Sequence, residues 1–290
     1  MLNEIAMNSL HKVSSTLKSI YNLRLHNIHK FKSKINIHIE MGPYILKTVS
    51  DISELKEALA LRYEIFHREM LGSKISFGYD IDEFDAFSDH LIIKDKRSNQ
   101  TIGTYRLNCS TYTDQFYSGK EFNLSRVLEQ PGIKLELGRA CIRKDYRRGI
   151  AVSLLWKGIA EYMNHSKANI LFGCASIKTS SPREAALLYR YFFETKRFTP
   201  EYLATPSKAF SMPHLDLWIS NFDSGLKEEE KTKALSLIPP LFRAYLKIGA
   251  YVGGTPAWDS EFKCIDFLTI LNKEDLNRSL WKKYKLDSEF

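Results

Sequence analysis

The stretch from Leu135 to Trp156, LELGRACIRKDYRRGIAVSLLW, constrains this chain more than any other. Ile133, Leu135 and Leu137 alternate with Lys134, Glu136 and Gly138, the period-two pattern of a strand. Val152, Leu155, Ile159 and Met163 then recur at helical spacing. Between them lies a basic turn with Arg143, Lys144, Arg147, Arg148 and Gly149. Backbone N–H groups at a helix N-terminus, helped by arginines, make a seat for phosphate. A pantetheine thioester carries a phosphate at one end and a reactive carbonyl at the other. A strand–turn–helix can hold the phosphate at the turn while the carbonyl lies along the strand.

Around this core, strand and helix signals alternate. Tyr44 to Thr48, His90 to Lys94, Ile102 to Asn108, Ile170 to Ala175 and Cys264 to Leu271 read as strands. Asp51 with Glu54, and Ser181 with Glu184, have capping-box spacing and open helices. The first of these helices presents Leu55, Leu59, Phe66 and Met70, with Arg62 and Tyr63 nearby. Pro239 and Pro240 introduce a helix over Leu241 to Gly249, and a charged helix is expected over Asn272 to Tyr284. The pattern predicts an α/β or α+β domain built on a mixed central sheet flanked by helices.

Residues 1–41 read as a basic N-terminal extension and 42–290 as the folded domain, opened by Gly42 and Pro43. Leu10, Val13, Leu17, Tyr21 and Leu25 form an apolar stripe among lysines and arginines, with no acidic residue between Leu10 and Ile39. Two readings stand side by side: a helix on an anionic membrane surface through residues 9–38, or a solvated helix packed on the domain.

A net charge of +8 favours an acidic partner without choosing one. Nucleic acid is the weakest candidate and is not expected as a partner, since only the charge supports it and no zinc-finger, RNP-like or helix-turn-helix signal stands out. No run approaches the ~20 apolar residues of a spanning helix, and no signal peptide is evident, so a cytoplasmic location is expected. Cys109, Cys141, Cys174 and Cys264 form no CxxC pair, which predicts reduced thiols and no structural zinc. Neither metal nor redox cofactor is expected. His90 and Asp95 have HxxxxD spacing but bracket a short strand, so that spacing reads as coincidence. Cys174 lies in the most apolar strand and reads as core rather than nucleophile.

The basic turn is similar to motif A of the GNAT superfamily, although Arg147-Arg148-Gly149-Ile150-Ala151 is one residue tighter than that motif's consensus. The wider pattern resembles the ornithine N-acyltransferases of ornithine-lipid synthesis, also labelled hemolysin-like, over roughly Leu46 to Leu271. LRYEIFHREM at Leu61, DEFDAFSDHL at Asp82, GTYRL at Gly103, FYSGKEFNLS at Phe116, LELGRACI at Leu135, SLLWKGIAEYM at Ser153, LFGCASI at Leu171, LIPPLFRAYLKIGAYV at Leu237 and PAWDSEFKCIDF at Pro256 carry the resemblance. Arg62, Phe66, the Asp-rich loop, Arg106 and Glu136 to Arg139 are more distantly similar to acyl-homoserine lactone synthases.

The resemblance implies a GNAT-like fold with a C-terminal elaboration. It implies transfer of a (3-hydroxy) fatty acyl group from acyl carrier protein to the α-amine of an amino acid, ornithine above others. Glycine or another amine as acceptor, acetyl-CoA as donor, and a membrane-active hemolysin-like protein are the rivals. Glu136 would take the amine's proton, or would pair structurally with Arg106 or Arg139. Arg139, Arg143, Lys144, Arg147, Arg148 and Gly149 would hold the phosphopantetheine or CoA phosphate and, at the turn, meet acyl carrier protein. Arg62, Asp82, Asp85 and Arg106 would bind the acceptor, with an ion pair between Arg106 and the acidic loop as the alternative.

Overall fold

The computed structural model describes residues 16, 18–72, 78–147 and 150–276. Strands hydrogen-bond in the order β1-β2-β3-β4-β5-β6-β9-β7, with β8 on β9. These are β1 (His38–Met41), β2 (Tyr44–Thr48), β3 (Asp89–Asp95), β4 (Gln100–Cys109), β5 (Ile133–Ile142), β6 (Ala168–Ile177), β7 (Tyr251–Val252), β8 (Ala257–Asp259) and β9 (Cys264–Asn272). β5 and β6 run parallel. β1–β2, β2–β3, β6–β9, β7–β9 and β8–β9 are antiparallel. The sheet is therefore mixed, and the long helix α5 (Ala151–Ser166) supplies the connection that a parallel pair requires.

The chain divides into two units, Met1–Arg106 with Arg139–Gly158, and Leu107–Gly138 with Ile159–Phe290. In the first unit, residues 18–27 form helix α1. Tyr21 and Leu25 pack against a core of Ile28, Phe31, Val49, Leu55, Leu59 and Ile92. Helix α2 (Ile52–Arg62) starts at Asp51, whose side chain accepts from the Glu54 N–H, as the spacing predicts. It does not continue as a regular helix. From Tyr63 to Met70 it becomes π-helical, so Phe66 and Met70 leave the stripe that Leu55 and Leu59 began.

In the second unit the period-two rule sorts two cores. Ala175, Ile177, Ile265 and Phe267 face one side, under α6 (Pro182–Glu194), α7 (Leu215–Ser220), α8 (Glu228–Leu237) and α9 (Pro240–Ile248). Ile170, Phe172, Leu268 and Ile270 face the other, where Phe116, Phe122 and Leu124 join them with Val127. That second face also carries the short helices α3 (Ser118–Glu121) and α4 (Ser125–Glu129). Ser181 caps α6 through the Glu184 N–H, with Pro182 at its first turn. Pro240 opens α9, and Gly249 closes it at φ +115°. The charged helix expected over 272–284 does not begin at Asn272: that residue ends β9, and a 3-10 turn, Lys273–Asp275, follows. The rest of that stretch, from residue 277, lies outside the described residues. Among the described residues no helix is long and apolar enough to cross a membrane.

The parallel ladder runs from Ile133↔Ala168 to Glu136↔Phe172 and stops there, although both strands continue. Gly173 sits at this point, where a Cβ would lie 2.2 Å from the Leu137 carbonyl oxygen. Gly173→Ala should therefore push β5 and β6 apart. Its expected cost reaches the top of the ~1–3 kcal/mol that overpacking brings, read as a shift in urea midpoint. A midpoint equal to wild type would mean the strands spread there without penalty.

Candidate active site

In the first unit, Arg62, Asp82, Asp85, Arg106 and Arg139 meet in one buried ion-pair cluster, joined by Asp80. The Arg62 guanidinium lies 2.7 Å from Asp80 and 2.6 Å from Asp85. Arg106 lies 2.6 Å from Asp82 and 3.0 Å from Asp85, and Arg139 lies 3.0 Å from Asp82. Arg106 also faces the Phe84 ring. Among the described residues three arginines, with His67 Nε2 3.1 Å from Asp80, face the three aspartates. Burial alone would raise the Asp82 pKa, but Arg106, Arg139 and Arg62 hold it well below the usual carboxylate range. Asp80 is depressed in the same way, with Arg62 and Arg139 outweighing burial. The aspartates of the acidic loop, Asp80, Asp82, Asp85 and Asp89, are thus inside the protein.

Arg139 also has φ +53°, the left-handed region, which a residue with a side chain adopts only where its surroundings hold it. Beyond it the basic turn is exposed at Arg143 and Lys144. Arg147 makes a two-pronged ion pair with Glu69, at 2.6 and 2.8 Å. Arg148 and Gly149 lie outside the described residues. His90 and Asp95 do not pair: His90 Nε2 sits 3.1 Å from the Asp85 carbonyl, and Asp95 accepts from Tyr146 Oη and the Arg97 N–H.

In the second unit Glu136, 4% exposed, sits on the last rung of the β5–β6 ladder. Its Oε2 accepts from the Tyr117 N–H at 2.9 Å and its Oε1 from the Ser118 N–H at 2.6 Å. These backbone donors fix its orientation, and each oxygen retains a further acceptor position. Cys174 follows two residues beyond the rung, its Sγ 3.5 Å from Ser118 Oγ. Burial, with Glu121 and Asp266 adding to it, pushes that thiol well above its ordinary pKa, the opposite of what a nucleophile needs. All four cysteines are free thiols.

Sequence reasoning missed Glu121, Asp259 and Asp266, which gather on the same side of this unit. Burial, then Asp266 and Asp259, pushes the Glu121 carboxyl up to about 9. Asp266 had a visible signal, a lone carboxylate inside the apolar run CIDFLTIL. Glu121 had none, because FYSGKEF reads as a polar loop.

Residues 61–157 match the model of an acetyltransferase (GNAT) domain. The chain is 30% identical over 252 residues to the L-ornithine N(alpha)-acyltransferase of Brucella abortus (strain 2308), covering 82% of this chain and 87% of that protein. The chain belongs to the L-ornithine N(alpha)-acyltransferase family. The member from Rhizobium meliloti (strain 1021) is 32% identical over 233 residues, 76% of each chain. The solved AHL synthase LasI is also similar, at 11% identity and a TM-score of 0.46, over 82% of this chain and 95% of that one. As a member of the family the chain is an acyltransferase with a GNAT-like α/β fold, and the family resemblance read from the sequence holds.

Proposed function

We propose that this acyltransferase moves a fatty acyl group, 3-hydroxylated in the preferred donor, from acyl carrier protein to the α-amine of ornithine, giving a lyso-ornithine lipid. Identity to relatives named for ornithine supports the acceptor. The observation that carries the mechanism is Glu136, a buried carboxylate locked by two backbone N–H groups where the β5–β6 ladder ends. An α-ammonium must lose a proton before it can attack, and Glu136 accepts that proton directly or through one water. The amine nitrogen then bonds to the thioester carbonyl carbon. The C–S bond breaks, and the carrier's sulfur leaves as a thiol, taking up the nitrogen's second proton. Backbone N–H groups beyond the last rung serve the developing oxyanion.

In the same reading Arg143 and Lys144, both exposed, with Arg147, Arg148 and Gly149, take the donor's phosphate and the acidic carrier surface. Arg139, expected to join them, lies 3.0 Å from Asp82, so its share in phosphate binding is indirect. Arg62, Asp82, Asp85 and Arg106 already neutralise one another. They serve as the frame of the first unit, and their share in acceptor binding is indirect. No residue among these calls for a metal or redox group.

The reading is tested by mass spectrometry of products from purified protein given 3-hydroxypalmitoyl–acyl carrier protein and an amino-acid pool. N-acyl-ornithine is the expected product. Intact donor with folded protein would overturn the reading, and acylated glycine would move it to another acceptor.

Helix α1 extends the proposal to membrane contact. Tyr21 and Leu25 are used on the core, but Ile20 and Leu23 are 41% and 61% exposed beside Lys18. An Ile20→Ser, Leu23→Ser double variant should lose most sedimentation with anionic vesicles while keeping its activity on soluble donor. Unchanged sedimentation would remove the membrane role.

A further inference from the structure

On the β6–β9 face that carries the second core of the second unit, the apolar rows change character at one end. Cys174 and Ser176 follow Phe172 on β6, and Asp266 stands opposite Ser176 on β9. Ser176 Oγ donates to Asp266 Oδ1 at 2.5 Å, and Ser176 is exposed, so this end reaches solvent. Over it lies Glu121, only 1% exposed, at the end of the four-residue helix α3. Tyr117 and Cys174 hydrogen-bond to the Glu121 carboxyl, yet its Oε2 has no partner.

Among the described residues no lysine or arginine pairs with Glu121 or Asp259. A buried carboxyl oxygen without a partner is costly, and a donor brought by a ligand would satisfy it. The negative field of Asp266 and Asp259, which dominates the electrostatics around Glu121 after burial itself, calls for a cation.

We infer that Glu121 and Asp266 form the receptor for the side-chain ammonium of the acceptor, and so select a diamino acid over amino acids with apolar side chains. This rests on the proposed transfer to an α-amine at Glu136. Glu136 Oε1 accepts from the N–H of Ser118, and Glu121 ends the four-residue helix that Ser118 begins, so both carboxyl groups are tied to one short element. An ammonium brings three donors and one positive charge, which matches the orphaned Oε2 together with Asp266.

A divalent metal is the other cation to weigh, since ligand atoms of Asp259, Cys264 and Asp266 lie within 4.8 Å of one another. The residues favour the ammonium. Cys264 Sγ already donates to Asp266 Oδ2 at 3.5 Å. Asp259 Oδ1 already accepts from the Glu261 and Phe262 N–H groups.

The test compares ornithine with 2-aminopentanoate, which has the same carbon chain but no side-chain amine, as acceptors for wild type, Glu121→Gln and Asp266→Asn. Wild type should prefer ornithine by about 30-fold or more in kcat/KM. Each variant should lose most of that preference through a higher KM for ornithine, with 2-aminopentanoate handled as before. A wild type that treats the two acceptors alike overturns the inference without any variant. A preference that survives in both variants, folded by circular dichroism, overturns it too, and leaves the proposed transfer standing. Acylation of neither acceptor by wild type fails the transfer itself, and the inference with it. A stoichiometric divalent metal in wild type that Glu121→Gln loses, with activity abolished by chelation, overturns it in favour of a metal site.

Discussion

Glu136→Gln should lower kcat by roughly 10²- to 10⁴-fold, the range a positioned general base contributes, with KM for the acyl donor little changed. Glutamine has the size of glutamate, so the second unit keeps its packing. It cannot take a proton from an ammonium at neutral pH. One of the two backbone N–H groups of Tyr117 and Ser118 will also face an amide NH₂ instead of an oxygen. That mismatch costs about 1–3 kcal/mol of stability, so thermal unfolding must be followed beside the rate. Raising the pH should partly rescue the variant, because more of the amine is then free without help. A variant within a few-fold of wild-type kcat, and with the wild-type pH profile, would strip Glu136 of the proton-transfer role and leave it a clamp on the Tyr117–Ser118 turn.

The second large effect falls on stability. Arg62 is fully buried and faces both Asp80 and Asp85. Arg62→Ala leaves two carboxylates inside the first unit without that partner, and breaking a buried pair in this way costs about 3–5 kcal/mol. Against a typical total of about 5–15 kcal/mol, that is a large share. The urea midpoint at pH 7 should fall accordingly. The acid side has a definite sign. The native pKa values of Asp80 and Asp82 lie below the unfolded ones, so on acidification the unfolded chain takes up protons first. The cluster's contribution is therefore complete above the unfolded value of about 3.9 and drains away as pH falls towards the native ones. Wild type and Arg62→Ala should differ by a constant amount from pH 5 to 8 and converge below about pH 4. A midpoint unmoved at pH 7 would show that the arginines Arg106 and Arg139 alone can neutralise the cluster.

Much of the fold was legible because it follows from local rules. The alternation through Leu135 and Leu137 gave β5, and the 3.6-residue recurrence through Val152 and Leu155 gave α5. Asp51, Ser181 and Pro240 stand at their helix starts because a side-chain acceptor or a missing N–H is useful only there. The π-helical run from Tyr63 was not legible. Its residue types suit an ordinary helix, and only packing around the buried Arg62 and Tyr63 distinguishes the two windings.

The site divides along the same line. By itself the sequence determined the family, the strand–turn–helix with its cations, and Glu136 as a carboxylate on a strand, since all of these are written in neighbouring residues. Only the tertiary structure decided which charges are already spent. Arg62, Arg106 and Arg139 come from α2, β4 and β5 to pair with the acids of one loop. It alone also put Glu121 from α3 beside Asp266 from β9, far apart in the chain, in a setting where burial makes an unmatched carboxylate matter. Electrostatic worth depends on desolvation and on partners distant in sequence, and neither is encoded within the few residues that a motif spans.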